Sequence, residues 1–390
     1  MYINFKVVGS IILLFSFLQP EYFSSNPIVH MGFNVLRIIA IITGLVIMLK
    51  LRQVFYITFI ITIFYLTVGV ATIINGGDLA ELLSNSILII GFVMWVELLL
   101  RNYPIRALQI LNFIFASLTY INLLFFLVFP NGYNNYYSST GLLVVRYFLG
   151  VYNQFAAVLI PAVIISVIYS LIRYKKICLS TWVLISSVVF TFMYFWSATS
   201  ILGIGLIIFY LIFVHKGLLK YFVNYKILSI CFIALFIMVV FANNLSIFAF
   251  IIEDILNKDL TLSTRTRIWE VAIQMISQSP FMGYGFLEGG RYIFISHSIE
   301  RNAHNMFLQI LLQGGVIALS TVILIITIVF RRISTFRNEK VVRFFLFSMF
   351  ISFVMMLSEV YSMTFLLVVL LIGVYLPNIL KAGDIATKKV

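Results

Sequence analysis

Long apolar runs separated by short polar breaks extend along almost the whole chain. A membrane-spanning helix needs about 20 apolar residues to cross a hydrocarbon core about 30 Å thick. About twelve runs approach this requirement, and they cover residues 6–20, 33–49, 54–74, 83–100, 107–129, 152–172, 177–196, 200–214, 227–247, 305–330, 344–360 and 363–379. The predicted fold class is all-α, a polytopic transmembrane helical bundle of about twelve spans.

The composition supports a membrane protein and excludes a soluble globular one. Hydrophobic residues make up 63% of the chain and charged residues only 10%, whereas soluble domains carry about 25% charged residues. The sequence shows neither an internal repeat nor a separate soluble region. We therefore interpret residues 1–390 as a single transmembrane domain.

The basic residues predict how the spans are oriented. Lysine and arginine are retained on the cytoplasmic side of a membrane, and most of the 26 in this chain fall there if the N-terminus is cytoplasmic. Both termini are then cytoplasmic, and the long loop 248–304 between spans nine and ten is extracytoplasmic. No small-residue cleavage site follows the first span, so we expect that span to be an anchor. The net charge of +13 is thus a topology signal and calls for no nucleic-acid partner.

The loop 248–304 is the only long polar interruption, and it contains Arg265, His304 and Asn305. In a chain this apolar, such residues are tolerated near the membrane where they face one another, a cavity or a ligand. Their clustering predicts that the loop is catalytic.

Inside this loop, a helix is predicted with Thr264 or Thr266 as its cap and with its end before Pro280. Its apolar residues recur at helical spacing, at positions 268, 269, 272, 273 and 276. Such a helix would lie against the membrane surface or the bundle. Gly283 and Gly285 then permit tight turns and the close approach of backbone to a ligand.

At these positions the chain resembles the O-antigen ligase and Wzy-type polysaccharide polymerase superfamily. The matching block is Arg265, Trp269, Pro280, Gly283, Gly285, His304, Asn305 and Gly314 or Gly315, with a second match at Arg146, Gly150, Asn153 and Ala156. One turn departs from the pattern. Many ligases carry an arginine after the serine of this turn, whereas this chain reads Ser197-Ala-Thr-Ser200. The departure favours a polymerase over a ligase.

The resemblance implies glycosyl transfer outside the cytoplasm, from a sugar chain on undecaprenyl diphosphate to a sugar hydroxyl, without a metal ion or other cofactor. The implied location is the bacterial cytoplasmic (inner) membrane. The implied partners are the lipid-linked oligosaccharide and membrane lipid, with a flippase and a chain-length regulator as further candidates.

The residue types suit this chemistry. Arginine offers diphosphate a planar, permanently charged fork, so Arg265 is assigned to the diphosphate. Imidazole is mostly neutral at pH 7 and can accept a proton, so His304 is assigned as general base for the acceptor hydroxyl. The remaining candidates for substrate binding are Arg146, Arg291 and Arg301 as secondary diphosphate contacts, together with Asn305, Gly283 and Gly285.

Structural interpretations of the same residues stay open. Arg265 could form an ion pair with an acidic residue of its own loop, at position 253, 254 or 259. Trp269 is interpreted as an interfacial anchor in preference to a sugar-stacking ring. Asn305 is interpreted as a helix cap or as a group that orients His304.

Three functions are consistent with the sequence. The first is a polymerase of lipid-linked repeat units for O-antigen or capsule, and the second is a ligase that moves finished glycan to lipid A core or to a protein. The third is a transporter of lipid-linked sugar. A transporter is expected to have broken helices or charges near mid-membrane. Here Glu97 and Glu359 are near span ends, which argues against the third function.

Overall fold

The computed structural model describes residues 5–137, 143–214, 219–241, 262–287, 293–295, 298–300 and 302–387. Its helices in the first half are α1 (Phe5–Ser16), α2 (Glu21–Ser24), α3 (Pro27–Leu51), α4 (Tyr56–Ile74), α5 (Leu79–Asn102), α6 (Pro104–Val128) and α7 (Ala156–Tyr174). Those in the second half are α8 (Leu179–Tyr194), α9 (Ala198–Phe209), α10 (Tyr225–Phe241), α11 (Leu262–Gln278), α12 (Met306–Ile333), α13 (Lys340–Met356) and α14 (Met363–Thr387).

Short strands form two small antiparallel sheets between the helices. Strands β1 (Asn134–Tyr137), β2 (Leu143–Tyr147) and β3 (Gly150–Val151) make one sheet, and β4 (Ile293–Ile295) and β5 (Ser298–Glu300) make the other. Both lie in segments that the sequence assigns to the extracytoplasmic side.

The all-α membrane bundle predicted from the sequence is confirmed. Seven helices of the described chain are long and apolar enough to cross a membrane, and three shorter apolar helices cover 179–194, 198–214 and 225–240. The figure of about twelve spans stays a prediction. Helices α7 and α14 are largely buried at the centre of the bundle, whereas α3 exposes apolar side chains such as Ile38, Ile42 and Val46 along one face. In a membrane this face would contact lipid.

Contacts between connecting segments follow the alternation of the predicted spans. At one end of the bundle, the Asp78 amide donates to the Phe286 carbonyl at 2.7 Å. At the other end, Lys175 and Asp384 form an exposed ion pair at 3.1 Å. The members of each pair were assigned to the same side of the membrane. The sidedness itself stays a prediction.

Glu97 is a fully buried carboxylate with a structural role. It accepts hydrogen bonds from the backbone amides of Ile57 and Thr58, at 3.2 and 2.8 Å, and from the Tyr375 hydroxyl at 2.9 Å. The first amides of a helix lack partners within that helix. Glu97 of α5 therefore caps α4 and ties it to α14.

Helix α12 is interrupted at Gly315, where φ is 61° and ψ is −162°. The break frees backbone groups on both sides, and residues 280–285 bind them. The amides of Tyr284 and Gly285 donate to the carbonyls of Leu312 and Gln313 at 2.7 and 2.9 Å, and the Val316 amide donates to the Pro280 carbonyl at 2.8 Å. Irregular backbone inside an apolar span is tolerated where its polar groups are satisfied within the protein. The single span predicted over 305–330 is thus two helical pieces held by residues 280–285.

Candidate active site

The predicted helix of the polar loop is α11, and it ends before Pro280 as expected. Its apolar stripe faces the bundle, since Ile268, Trp269 and Ala272 are buried and cluster with residues at the start of α12. The capping prediction is wrong: the helix already includes Leu262, so Thr264 and Thr266 lie within its first turns. The stripe fixes α11 against α12 and sets the position of Arg265 near the start of α11.

Arg265 reaches the turn between α13 and α14, residues 357–362, here called the Glu359 loop. Its Nη1 donates to the Ser358 carbonyl, and its Nη2 lies 2.9 Å from Glu359 Oε1. The acidic partners proposed at positions 253, 254 and 259 lie outside the described residues, and the described partner is Glu359. Arg267, two residues further along α11, is exposed. Of these two arginines, only Arg265 is therefore described in contact with Glu359. Arg265, Glu359 and His304 are called the cluster below.

His304 approaches the same carboxylate from the start of α12. Its Nδ1 lies 3.9 Å from Glu359 Oε2, and its side chain is 28% exposed. The Arg265 and Glu359 side chains are 24% and 13% exposed. Glu359 thus lies between the two residues that the sequence assigned to catalysis, and both keep a partly open face.

The backbone around His304 is held on both sides. His304 has a φ of 45°, an uncommon conformation for a residue other than glycine, and its amide donates to the Asn302 side chain at 2.9 Å. The neighbouring Ala303 accepts from Trp269 Nε1 at 2.9 Å and donates to Gln309 Oε1 at 3.0 Å. These bonds hold the backbone from which the imidazole projects.

Trp269 is 1% exposed, so its interpretation as an interfacial anchor is wrong. The ring is part of the packing between α11 and α12 and its indole supports the loop of His304. A tryptophan in a membrane protein suggests an interface by composition alone. Its burial depends on which surface α11 presents to α12.

Asn305 is fully buried and caps α12. Its Oδ1 accepts from the amides of Phe307 and Leu308 at 3.0 and 3.2 Å, and its Nδ2 donates to the Leu357 carbonyl at 3.0 Å. The side chain that caps the helix also joins it to the Glu359 loop. These contacts give Asn305 a structural explanation, and its substrate-binding role stays a prediction.

The pKa of Glu359 reflects burial and its two neighbours, His304 and Arg265. Burial on its own would raise the pKa of this carboxyl, but favourable interactions with His304 and Arg265 outweigh burial and hold the pKa below its ordinary value. Glu359 is therefore an anion at neutral pH, and it can stabilise positive charge on both neighbours.

In the sequence, Glu359 is recognisable only as a charge near a span end. One signal could have identified it. It is an acidic residue in a short turn between two apolar spans, on the same predicted side as Arg265 and His304.

Other turns line the Glu359 loop at the same end of the bundle. Gln154 donates to the Val360 carbonyl at 3.3 Å, and the hydroxyls of Thr199 and Ser358 are 3.4 Å apart. The Tyr361 side chain is buried, and this burial raises the pKa of its hydroxyl. The turn 197–200, which lacks the arginine of many ligases, thus lies beside the cluster.

Gly283 and Gly285 approach the chain's own backbone. Both have positive φ, 66° and 74°. A Cβ would meet the Leu312 carbonyl at position 283 and the Thr72 backbone at position 285. The close approach expected toward a ligand is made to α4 and α12, where it holds the broken helix behind His304. This contact gives both glycines a structural explanation.

Arg146 lies in β2 and is engaged within its sheet. Its Nη1 is 3.0 Å from Glu21 Oε1, and its guanidinium stacks over the Tyr136 ring at 5.0 Å. The described contacts place it with Glu21 and Tyr136 and not with Glu359. Arg291 and Arg301 fall outside the described residues, so their assignment as diphosphate contacts stays a prediction.

The model of the O-antigen ligase family matches residues 182–323. The resemblance to the O-antigen ligase and Wzy-type superfamily is confirmed. The matched segment runs from α8 into α12 and includes Arg265, the 280–285 segment and His304. Glu359 lies beyond it. No curated protein and no solved structure matches the chain.

Proposed function

We propose that the protein is a polymerase of lipid-linked oligosaccharide repeat units for O-antigen or capsule, acting on undecaprenyl-diphosphate-linked glycan at the extracytoplasmic face of the bacterial inner membrane. The family supports the coarser function, that of an O-antigen ligase or polymerase. The observation that carries the proposal is the convergence of Arg265 and His304 on Glu359.

Arg265 is suited to hold the donor diphosphate. A guanidinium has five N–H donors, and the described contacts use one toward Ser358 and one toward Glu359. Further donors can bind phosphate oxygens through the partly exposed face. As the bond between the sugar anomeric carbon and the phosphate oxygen breaks, the diphosphate leaves with that electron pair, and the nearby cation stabilises its charge.

His304 is suited to activate the acceptor. Because Nδ1 faces Glu359, a proton on Nδ1 is stabilised there, and in that tautomer Nε2 is the basic nitrogen that would accept the proton of the sugar hydroxyl. The hydroxyl oxygen then bonds to the anomeric carbon. The products are a longer glycan and undecaprenyl diphosphate, and the proton rests on His304 until water removes it.

The turn 197–200 supports a polymerase over a ligase. It borders the Glu359 loop through Thr199, and it carries Ala198 where many ligases have an arginine. The ligase is retained as the second candidate because the matching family model is described as O-antigen ligase. The two functions differ in the acceptor, which would be another repeat unit for the polymerase and lipid A core or a protein for the ligase.

The proposal is tested with His304→Ala, and His30→Ala is the matched control because His30 lies on α3 beside Gln19. Removing a general base typically costs about 10²- to 10⁴-fold in rate. We expect His304→Ala cells to lose the long-chain glycan ladder and to accumulate lipid-linked single repeat units on the outer side of the membrane.

Accumulation on the inner side would indicate transport. Long lipid-linked chains that are not attached to an acceptor would indicate a ligase. A normal ladder, with variant protein present at the wild-type level, would remove His304 from the mechanism.

A further inference from the structure

The end of α8 places a tryptophan where the backbone favours glycine. Trp196 has a φ of 49°, and the following Ser197 amide donates to the Phe192 carbonyl at 3.1 Å, which closes the helix. Such left-handed positions after a helix are usually glycine, and a bulky residue there costs about 1 kcal/mol or more. The Trp196 side chain is nevertheless 42% exposed. Burial of the ring in the core does not account for its presence.

A second exposed ring stacks on Phe195, the residue that precedes Trp196. Tyr152 is 39% exposed and stacks in parallel on Phe195, with ring centroids 5.8 Å apart and planes 8° apart. Phe195 is itself held edge-on by Tyr147 and Phe155, at 4.9 and 5.3 Å. The backing of Tyr152 is therefore rigid.

Both rings are within three residues of a contact with the Glu359 loop. Tyr152 is two residues before Gln154, which binds the Val360 carbonyl. Trp196 is three residues before Thr199, whose hydroxyl is 3.4 Å from that of Ser358. The two segments that carry these rings thus both contact the Glu359 loop, through Gln154 and Thr199.

We infer that Tyr152 and Trp196 form a carbohydrate subsite, on which a sugar ring of the glycan stacks beside the reactive cluster. This inference rests on the proposed function. The C–H face of a sugar ring is apolar and can stack on a fixed aromatic face. The hydroxyls at the edge of the sugar can form hydrogen bonds with the nearby side-chain amide of Gln154 and hydroxyls of Thr199 and Ser358. Aromatic residues also gather at membrane interfaces. An interfacial anchor needs neither a strained backbone nor a position beside the cluster.

The decisive variant is Trp196→Gly, because glycine suits the backbone and removes the ring. We expect its unfolding temperature in nanodiscs to equal or exceed that of the wild type. The probe is a repeat-unit oligosaccharide without lipid, prepared by partial acid hydrolysis of the producing strain's surface polysaccharide. Saturation-transfer NMR should detect its binding to the wild-type chain, and binding should be roughly 5- to 10-fold weaker for Trp196→Gly and for Tyr152→Ala.

Two controls separate the subsite from other effects. Trp196→Phe keeps a ring on the same backbone and should retain most of the binding. Tyr174→Ala removes an exposed tyrosine at the opposite end of the bundle and should bind the oligosaccharide like the wild type.

The subsite is wrong if the wild-type chain shows no saturation transfer, or if Trp196→Gly and Tyr152→Ala bind as well as the wild type. The proposed function is tested separately. A His304→Ala protein that binds the oligosaccharide normally and still yields polymer in cells would overturn the chemistry and leave the subsite in place.

Discussion

Replacing Glu359 by glutamine tests the centre of the cluster with little change of shape. Glutamine can still accept a bond from Arg265 with its oxygen, but the negative charge between the arginine and His304 is lost. Its amide group can also donate toward His304 Nδ1. That contact favours the tautomer with the proton on Nε2, which cannot accept a proton from the acceptor.

The expected loss follows from the distance between the charges. His304 Nδ1 and Glu359 Oε2 are 3.9 Å apart. Two opposite unit charges at this separation attract by about 4 kcal/mol at an effective dielectric constant near 20. That energy corresponds to a ceiling near a thousandfold in rate. The opposing charge of Arg265 reduces the benefit, so we expect Glu359→Gln to slow transfer by about 100-fold, below that ceiling.

The assay is single-turnover transfer by purified protein in nanodiscs, with the strain's lipid-linked repeat unit as donor and acceptor. Glu270→Gln is the matched control, because Glu270 is an exposed acid on α11, and it should act at the wild-type rate. If Glu359→Gln stays within about threefold of the wild type at equal folded protein, the orienting role is refuted.

The pH dependence adds an independent check on the same residue. Because the pKa of Glu359 is lowered in the folded protein, the stability from its ion pairing is present above the ordinary glutamate pKa of about 4.3 and is lost as pH falls through the folded value. The wild type should therefore be more stable than Glu359→Gln in thermal unfolding above about pH 5, and this advantage should be lost as pH falls below the ordinary glutamate range. A difference that vanishes near pH 6 would contradict the ion pair.

Three further predictions test other parts of the structure. Arg265→Lys should lower activity by about 10- to 100-fold, because lysine cannot bind Ser358 and Glu359 as a fork and still face the diphosphate. Arg267→Lys is the control and should leave activity nearly unchanged. Equal activity of the two variants would exclude Arg265 from the mechanism. Gly315→Ala should destabilise the protein by at least about 2 kcal/mol in thermal unfolding, since its Cβ would overlap the Phe281 backbone. The control is Gly205→Ala in α9, which should be neutral or stabilising because a Cβ there meets open space. A single cysteine at position 277, in a chain without its native cysteines, should react with an impermeant thiol reagent on intact cells; labelling only after the membrane is broken would reverse the topology.

Local patterns in the sequence determined the class of the protein and much of its layout. The apolar runs alone predict a helical membrane bundle, because the bilayer requires each span to satisfy its own backbone groups. The stripe of α11 and its end before Pro280 follow from helical periodicity and from proline chemistry. The preference of asparagine for helix caps likewise suggested the role of Asn305, which the structure shows at the start of α12.

Tertiary structure decided which side chains meet. Glu359 is 94 residues from Arg265 along the chain. Its local sequence does not distinguish it from any other acidic residue at the end of a span. Its role arises because the starts of α11 and α12 meet the turn before α14 at the same face of the bundle, which no local pattern records. The break at Gly315 was hidden in the same way, since a continuous apolar run predicts a continuous helix. The break is stable only because residues 280–285, distant from α12 in sequence, bind the backbone groups that it frees.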